Sequence, residues 1–142
     1  MIQRIQTIWL LLATALGLAS LKLPTFTGHR ISDVLPQTVV AEITGTYNII
    51  LMVATIATAT LAFLAIFLFK NRKLQIKVVI AGLIISLITL FFYYWQSKSF
   101  IAAESNYTLT AILPISVPVW LVLALKGIYK DHKLIKSLDR LR

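Results

Sequence analysis

Charged residues are unevenly spaced along this chain, and the gaps between them predict its elements. Four stretches carry no Asp, Glu, Lys or Arg: residues 5 to 21, 43 to 69, 78 to 97 and 105 to 125. Each approaches the ~20 residues with which an α-helix crosses about 30 Å of hydrocarbon. Backbone amides in lipid must be bonded within their own segment, so helix is the structure such runs adopt. The pattern predicts an all-α integral membrane protein: a single four-helix transmembrane domain over residues 1–142, with spans at about 5–22, 45–69, 77–97 and 107–127 and a basic amphipathic tail at 128–142. Arg4 before an apolar core and the small residues of ALGLAS give the first run the look of a secretory signal. Three further apolar runs and a single upstream charge favour a retained helix.

Composition agrees with the pattern. The chain is 58% hydrophobic and 13% charged, where soluble domains carry about 25% charged residues. It has no cysteine, which excludes disulfides, thiolate chemistry and cysteine-ligated metal. The formal charge of +9 matters through its placement. Arg4, the patch Lys70, Arg72, Lys73 and Lys77, and Lys126, Lys130, Lys133, Lys136, Arg140 and Arg142 fall on one side of a four-span topology. The other side holds Lys22, Arg30 and Lys98, balanced by Asp33, Glu42 and Glu104. The positive-inside rule makes the rich side, with both termini, cytoplasmic, and predicts a multi-pass membrane protein.

The patch FKNRKLQIK, residues 69 to 77, then reads as a short cytoplasmic turn whose cations sit beside the C-terminus of the second helix. Opposite it, residues 23 to 42 hold Pro24, Pro36 and several Thr and Val. A small hairpin is expected there, with Gly28 and His29 as a turn and TVVAEIT extended. The third loop, KSFIAAESNY, is expected to pack against it. Within the runs, Ala54, Thr58 and Ala62, Ala13 with Gly17, and Gly82 with Ser86 have the small-residue spacing of close helix contacts. Intramolecular packing accounts for them. Pro114 and Pro118 lie on one face and should bend the fourth helix. Phe91, Phe92, Tyr93, Tyr94 and Trp95 have the character of an interfacial aromatic belt, with Tyr129 as a counterpart at the other interface.

Candidate chemistry is sparse. The four runs contain no charged residue and no histidine, whereas ion-coupled transporters and pumps place ionisable groups at membrane depth. Ser86, Thr89, Thr55, Thr58 and Ser116 form the polar inventory, and helix hydroxyls commonly bond back to their own carbonyls. His29 with Asp33 and Glu42 is a weakly patterned metal candidate; His132 is predicted on the other side. No catalytic residue, metal ligand or cofactor site is assigned. The tail carries Ile128, Leu134, Ile135, Leu138 and Leu141 on one stripe, ringed by Lys130, Lys133, Lys136 and Arg140. That is a basic amphipathic helix, expected to turn onto the inner leaflet. Docking of a protein is the competing use of the same pattern. RNA binding is a weaker one, for want of a base-stacking platform.

The opening MIQRIQT, the patch FKNRKLQIK and the ending KGIYKDHKLIKSLDRLR together resemble a family of small four-span membrane proteins of Bacteroidota catalogued as a domain of unknown function, DUF4293. The resemblance implies inner-membrane location and four helices, and it carries no functional residue. The expectation is a non-enzymatic accessory or scaffolding subunit. Its contacts with anionic lipid or a protein partner would be Lys70, Arg72, Lys73, Lys77, Lys130, Lys133, Lys136, Arg140 and Arg142. The alternative is a small transporter or channel, built by the bundle or a homo-oligomer, with a path past Ser116 and Thr110. A surface enzyme using Glu104, Asp33, Glu42 and His29 stands third.

Overall fold

A computed structural model describes residues 5–31, 38–98 and 106–139. Its elements, in chain order, are α1 (Ile5–Ala19), β1 (Phe26–Ile31), β2 (Thr38–Ile43), α2 (Ile49–Phe67), α3 (Arg72–Ser97), β3 (Asn106–Tyr107) and α4 (Ile112–Asp139). Single 3-10 turns, Leu68–Lys70 and Leu109–Ala111, close α2 and open α4. Three helical segments, Ile49–Lys70, Arg72–Ser97 and Leu109–Leu134, are long and apolar enough to cross a membrane. The described part of α1, at 15 residues, rises only about 22 Å.

The helices pack in a ring, α1 against α2 and α4, and α3 against the same two. Their inward positions explain why. On α3 the buried residues are Gln75, Val79, Gly82, Ser86, Thr89, Tyr93 and Ser97, spaced by fours and threes, the repeat that keeps one seam facing a neighbour. Leu10, Ala13 and Gly17 follow the same spacing on α1. Lipid tails are as apolar as leucine, so close packing rather than escape from water holds such helices together, and small residues let the backbones approach. A Cβ on Gly17 would sit 3.6 Å from that of Ala59, and one on Gly82 3.6 Å from that of Leu61. The small-residue pairs therefore serve contacts within the chain. Leu10, Leu121 and Ile128 are completely buried at the centre, with Ala62, Ala65 and Val79 around them. Beside them Trp9 of α1 stacks on Trp120 of α4, with centroids 5.1 Å apart.

At one end a three-stranded sheet, ordered β2-β1-β3, caps the helices. β1 and β2 are antiparallel, in register from Phe26 opposite Ile43 to Ile31 opposite Thr38. β3 adds to the other edge of β1 through Phe26 with Tyr107 and Thr27 with Asn106. The expected hairpin is present, TVVAEI is extended, and the third loop does contribute a strand. Gly28 and His29, expected as a turn, lie inside β1, where they pair with Ala41 and Val40 of β2. Pro36 lies outside the described residues. The Thr108 and Thr110 hydroxyls both donate to the Pro24 carbonyl, tying the start of α4 to the approach to β1. Gly45 joins the sheet to α1: its amide donates to the Ser20 carbonyl at 3.0 Å.

One turn and one aromatic differ from expectation, and the two prolines of α4 are placed differently from each other. Pro114 occupies the third position of α4, directly after the 3-10 turn that opens it. Pro118 alone stands in the helix interior. The basic patch is almost entirely helical. After the 3-10 turn only Asn71 stands outside, and its side chain accepts from the Leu74 amide to cap α3. Tyr93 leaves the belt; it is buried, and Phe92 packs beside it, whereas Phe91, Tyr94 and Trp95 are exposed.

Candidate functional site

The patch and the tail meet at the end of the molecule opposite the sheet. α3 begins there and α4 continues past it as one helix to Asp139. The Arg72 guanidinium lies 3.4 Å from the Asp131 carboxylate, joining the first turn of α3 to the tail. The Arg72 side chain is only 11% exposed. Arg72, expected among the lipid or partner contacts, is thus spent on an internal ion pair. The remaining patch lysines, Lys70, Lys73 and Lys77, are exposed, as are Lys126, Lys130 and Lys133 on α4. The Lys136 side chain and all of Arg140 and Arg142 lie outside the described residues. Six exposed lysines therefore gather at this end, Lys70 in the 3-10 turn after α2, Lys73 and Lys77 on α3, and Lys126, Lys130 and Lys133 on α4, with Asp131 held by Arg72.

The tail's first turn is part of the packed helices. Ile128, expected on a lipid-facing stripe, is wholly buried in the central core. Gly127 lies against the Gln6 side chain, so α1 and α4 touch as far out as this turn. These contacts hold the tail to the end of the helices instead of turning it away at residue 128. Leu134 is exposed; Leu141 and the side chains of Ile135 and Leu138 lie outside the described residues.

Gln75, which sequence reasoning passed over, is the buried polar anchor of this end. Its Nε2 donates to the Ala65 carbonyl at 2.8 Å. Ala65 lies in the last turn of α2, where carbonyls lack an amide partner within the helix. A side chain of α3 thereby completes the end of α2. The signal for it was available: Gln75 begins the four-three spacing that continues through Val79, Gly82 and Ser86.

A second polar feature lies on the axis toward the sheet. Every hydroxyl of the predicted inventory bonds back to its own helix: Thr55 to the Leu51 carbonyl at 2.7 Å, Thr58 to Ala54 at 2.9 Å, Ser86 to Leu83 at 2.7 Å, Thr89 to Ile85 at 2.8 Å and Ser116 to Leu113 at 2.8 Å. The first four converge with Ser20 and Pro114 on a void of about 20 Å³ to which all four helices contribute. Such a volume holds about one water. The bonded hydroxyls turn their protons to carbonyls, so the void meets mainly oxygen lone pairs. The Tyr93 phenol lies near Ser20 and Thr55 without reaching bonding geometry to either. Ser116 and Thr110, expected along a polar path, do not line this void. Of the weak metal candidate, Glu42 is exposed, whereas Asp33 and the His29 side chain lie outside the described residues, as does Glu104. His132 is half-buried at the lysine-rich end.

No curated protein and no solved structure matches the chain. A family model, described as Domain of unknown function (DUF4293), matches residues 2–141. That match takes in the first helix, the basic patch and nearly all of the tail, so the chain belongs to the DUF4293 family.

Proposed function

We propose that this chain is a non-catalytic integral protein of the bacterial inner membrane that crosses it four times and serves as an accessory or scaffolding subunit. Its lysine-rich end faces the cytoplasm and binds the anionic leaflet or an acidic face of a membrane-protein partner. The observation that carries this is the cationic surface of exposed lysines at one end, Lys70, Lys73 and Lys77 at the junction of α2 and α3 and Lys126, Lys130 and Lys133 along α4. Cations near an anionic leaflet each contribute about 1 kcal/mol, and the internal pair of Arg72 with Asp131 fixes the two lysine groups relative to one another.

Affinity purification in mild detergent, followed by mass spectrometry, tests the reading. The wild-type chain is expected to retain a membrane-protein partner, and one with Lys70, Lys73, Lys130 and Lys133 changed to Gln to lose it. Recovery of both chains alone, with equal binding to anionic and neutral vesicles, would remove the proposal.

A small transporter or channel is the second reading, favoured by the hydroxyl-lined void on the axis. On the lysine-rich side of it, Leu10, Leu121 and Ile128 fill the axis without exposure. A path through one chain would have to move these side chains. Solute flux into liposomes discriminates: none above empty vesicles is expected, and flux lost on Pro118→Ala would favour transport.

A further inference from the structure

At the sheet end a cavity of about 270 Å³ runs between β1, β3, α3 and the start of α4. Its inner wall is buried, formed by Phe26, Tyr93 and Ala111, and its rim, formed by Tyr94, Tyr107 and Ile115, is more than half exposed. The volume exceeds the ~150 Å³ apolar cavity that admits a benzene ring. Phe26 and Tyr107 stand edge to face, 4.9 Å between centroids, and make one side a rigid aromatic wall. The opening lies on α3 and α4, both long and apolar enough to cross a membrane, and their neighbouring Leu87, Phe91, Ile112 and Val119 are exposed. Whatever enters comes from the bilayer.

The rim also carries a cation. Lys98, the residue that caps α3, places its Nζ 4.9 Å from the centroid of the Tyr94 ring. From Lys77, the last exposed cation of the patch, to Lys98 the rise is roughly 32 Å, about one hydrocarbon thickness. Tyr94 therefore stands just within the acyl region, and Lys98, one turn on, at its boundary and within reach of phosphates. An apolar chamber below a cation within reach of phosphates matches one amphiphile in both parts.

We propose that this cavity binds one anionic phospholipid of the leaflet at the sheet end, with one acyl chain inside it and the phosphate at Lys98. The open side leaves the second chain in the bilayer. This site rests on α3 and α4 spanning the membrane and is independent of docking at the lysine-rich end, so either can fail alone.

Native mass spectrometry of the full chain, released from nanodiscs of equimolar phosphatidylglycerol and phosphatidylethanolamine, tests it. The expected result is one phosphatidylglycerol retained per chain. Ala111→Trp should fill the inner wall and abolish retention. Ile115→Trp, at the half-exposed rim and so tolerant of a larger side chain, should reduce it severalfold even if the first variant fails to fold. Lys98→Gln should lower the preference for phosphatidylglycerol about fivefold while leaving a lipid bound. Retention unchanged in Ile115→Trp, a wild-type chain released free of lipid, or a fatty acid or second copy of the chain found instead would each overturn the proposal.

Discussion

Arg72 and Asp131 are paired at 3.4 Å, across the junction where α3 starts and α4 runs beyond its apolar portion. A second acid of the tail, Asp139, ends α4, and its side chain lies outside the described residues. The pair is partly buried, at 11% and 29% side-chain exposure, so screening by water discounts it toward the upper range of surface pairs. Asp131→Asn should lower stability by about 1 kcal/mol, read by thermal unfolding in detergent. The charge-swapped double variant Arg72→Asp with Asp131→Arg should recover part of that loss. Equal loss in the single and double variants would show that the two side chains do not act as a pair.

Gln75 gives a larger expected effect. Replacing it with Leu leaves the Ala65 carbonyl without its 2.8 Å donor in a buried setting. An orphaned buried acceptor costs about 1–3 kcal/mol. Unfolding of Gln75→Leu should shift by that amount, while Lys73→Leu, two residues away and exposed, should shift little.

The glycines separate into two kinds. At Gly45 an added Cβ would lie 2.8 Å from the Leu21 Cα and 2.9 Å from the Ser20 carbonyl oxygen, both backbone atoms that cannot swing aside. Gly45→Ala should destabilise by about 1–3 kcal/mol as the sheet is pushed off the end of α1. At Gly17 the nearest atom is 3.6 Å away, an ordinary contact. Gly17→Ala should be neutral or stabilising by up to ~1 kcal/mol through helix propensity. Paired thermal unfolding curves check both signs.

The stacked rings of Trp9 and Trp120, inclined by 16°, join α1 to α4 and supply an optical reading of that contact. A near-ultraviolet circular dichroism signal from the pair is expected in the wild-type chain and should disappear in both Trp9→Phe and Trp120→Phe. Persistence of the full signal in either variant would mean that it arises from Trp95.

How the chain divides into helices was legible because charge is absent from four long runs, and composition in lipid leaves few alternatives. Boundaries were less so. α3 starts at Arg72 rather than near Lys77 because Asn71 caps it, a signal hidden within a patch read only for its charge. Tyr93 was grouped with its aromatic neighbours, although the four-three spacing from Gln75 places it on the buried seam. Ion pairing of Arg72 was not legible, since its partner lies 59 residues away and only packing of α3 on α4 brings it near. The position of Lys98 within reach of phosphates and beside a cavity likewise depends on β1, β3 and α4 meeting, which no local pattern encodes.

The four-crossing arrangement with both lysine groups on the cytoplasmic side is tested most directly by labelling single cysteines in intact cells and in opened membranes. The natural chain has none, so Thr46→Cys, Lys73→Cys and Lys133→Cys each introduce the sole target. A membrane-impermeant maleimide should modify position 46 in intact spheroplasts, and positions 73 and 133 only after the membrane is opened. Modification of position 133 in intact spheroplasts, or of positions 46 and 73 from the same side, would contradict it.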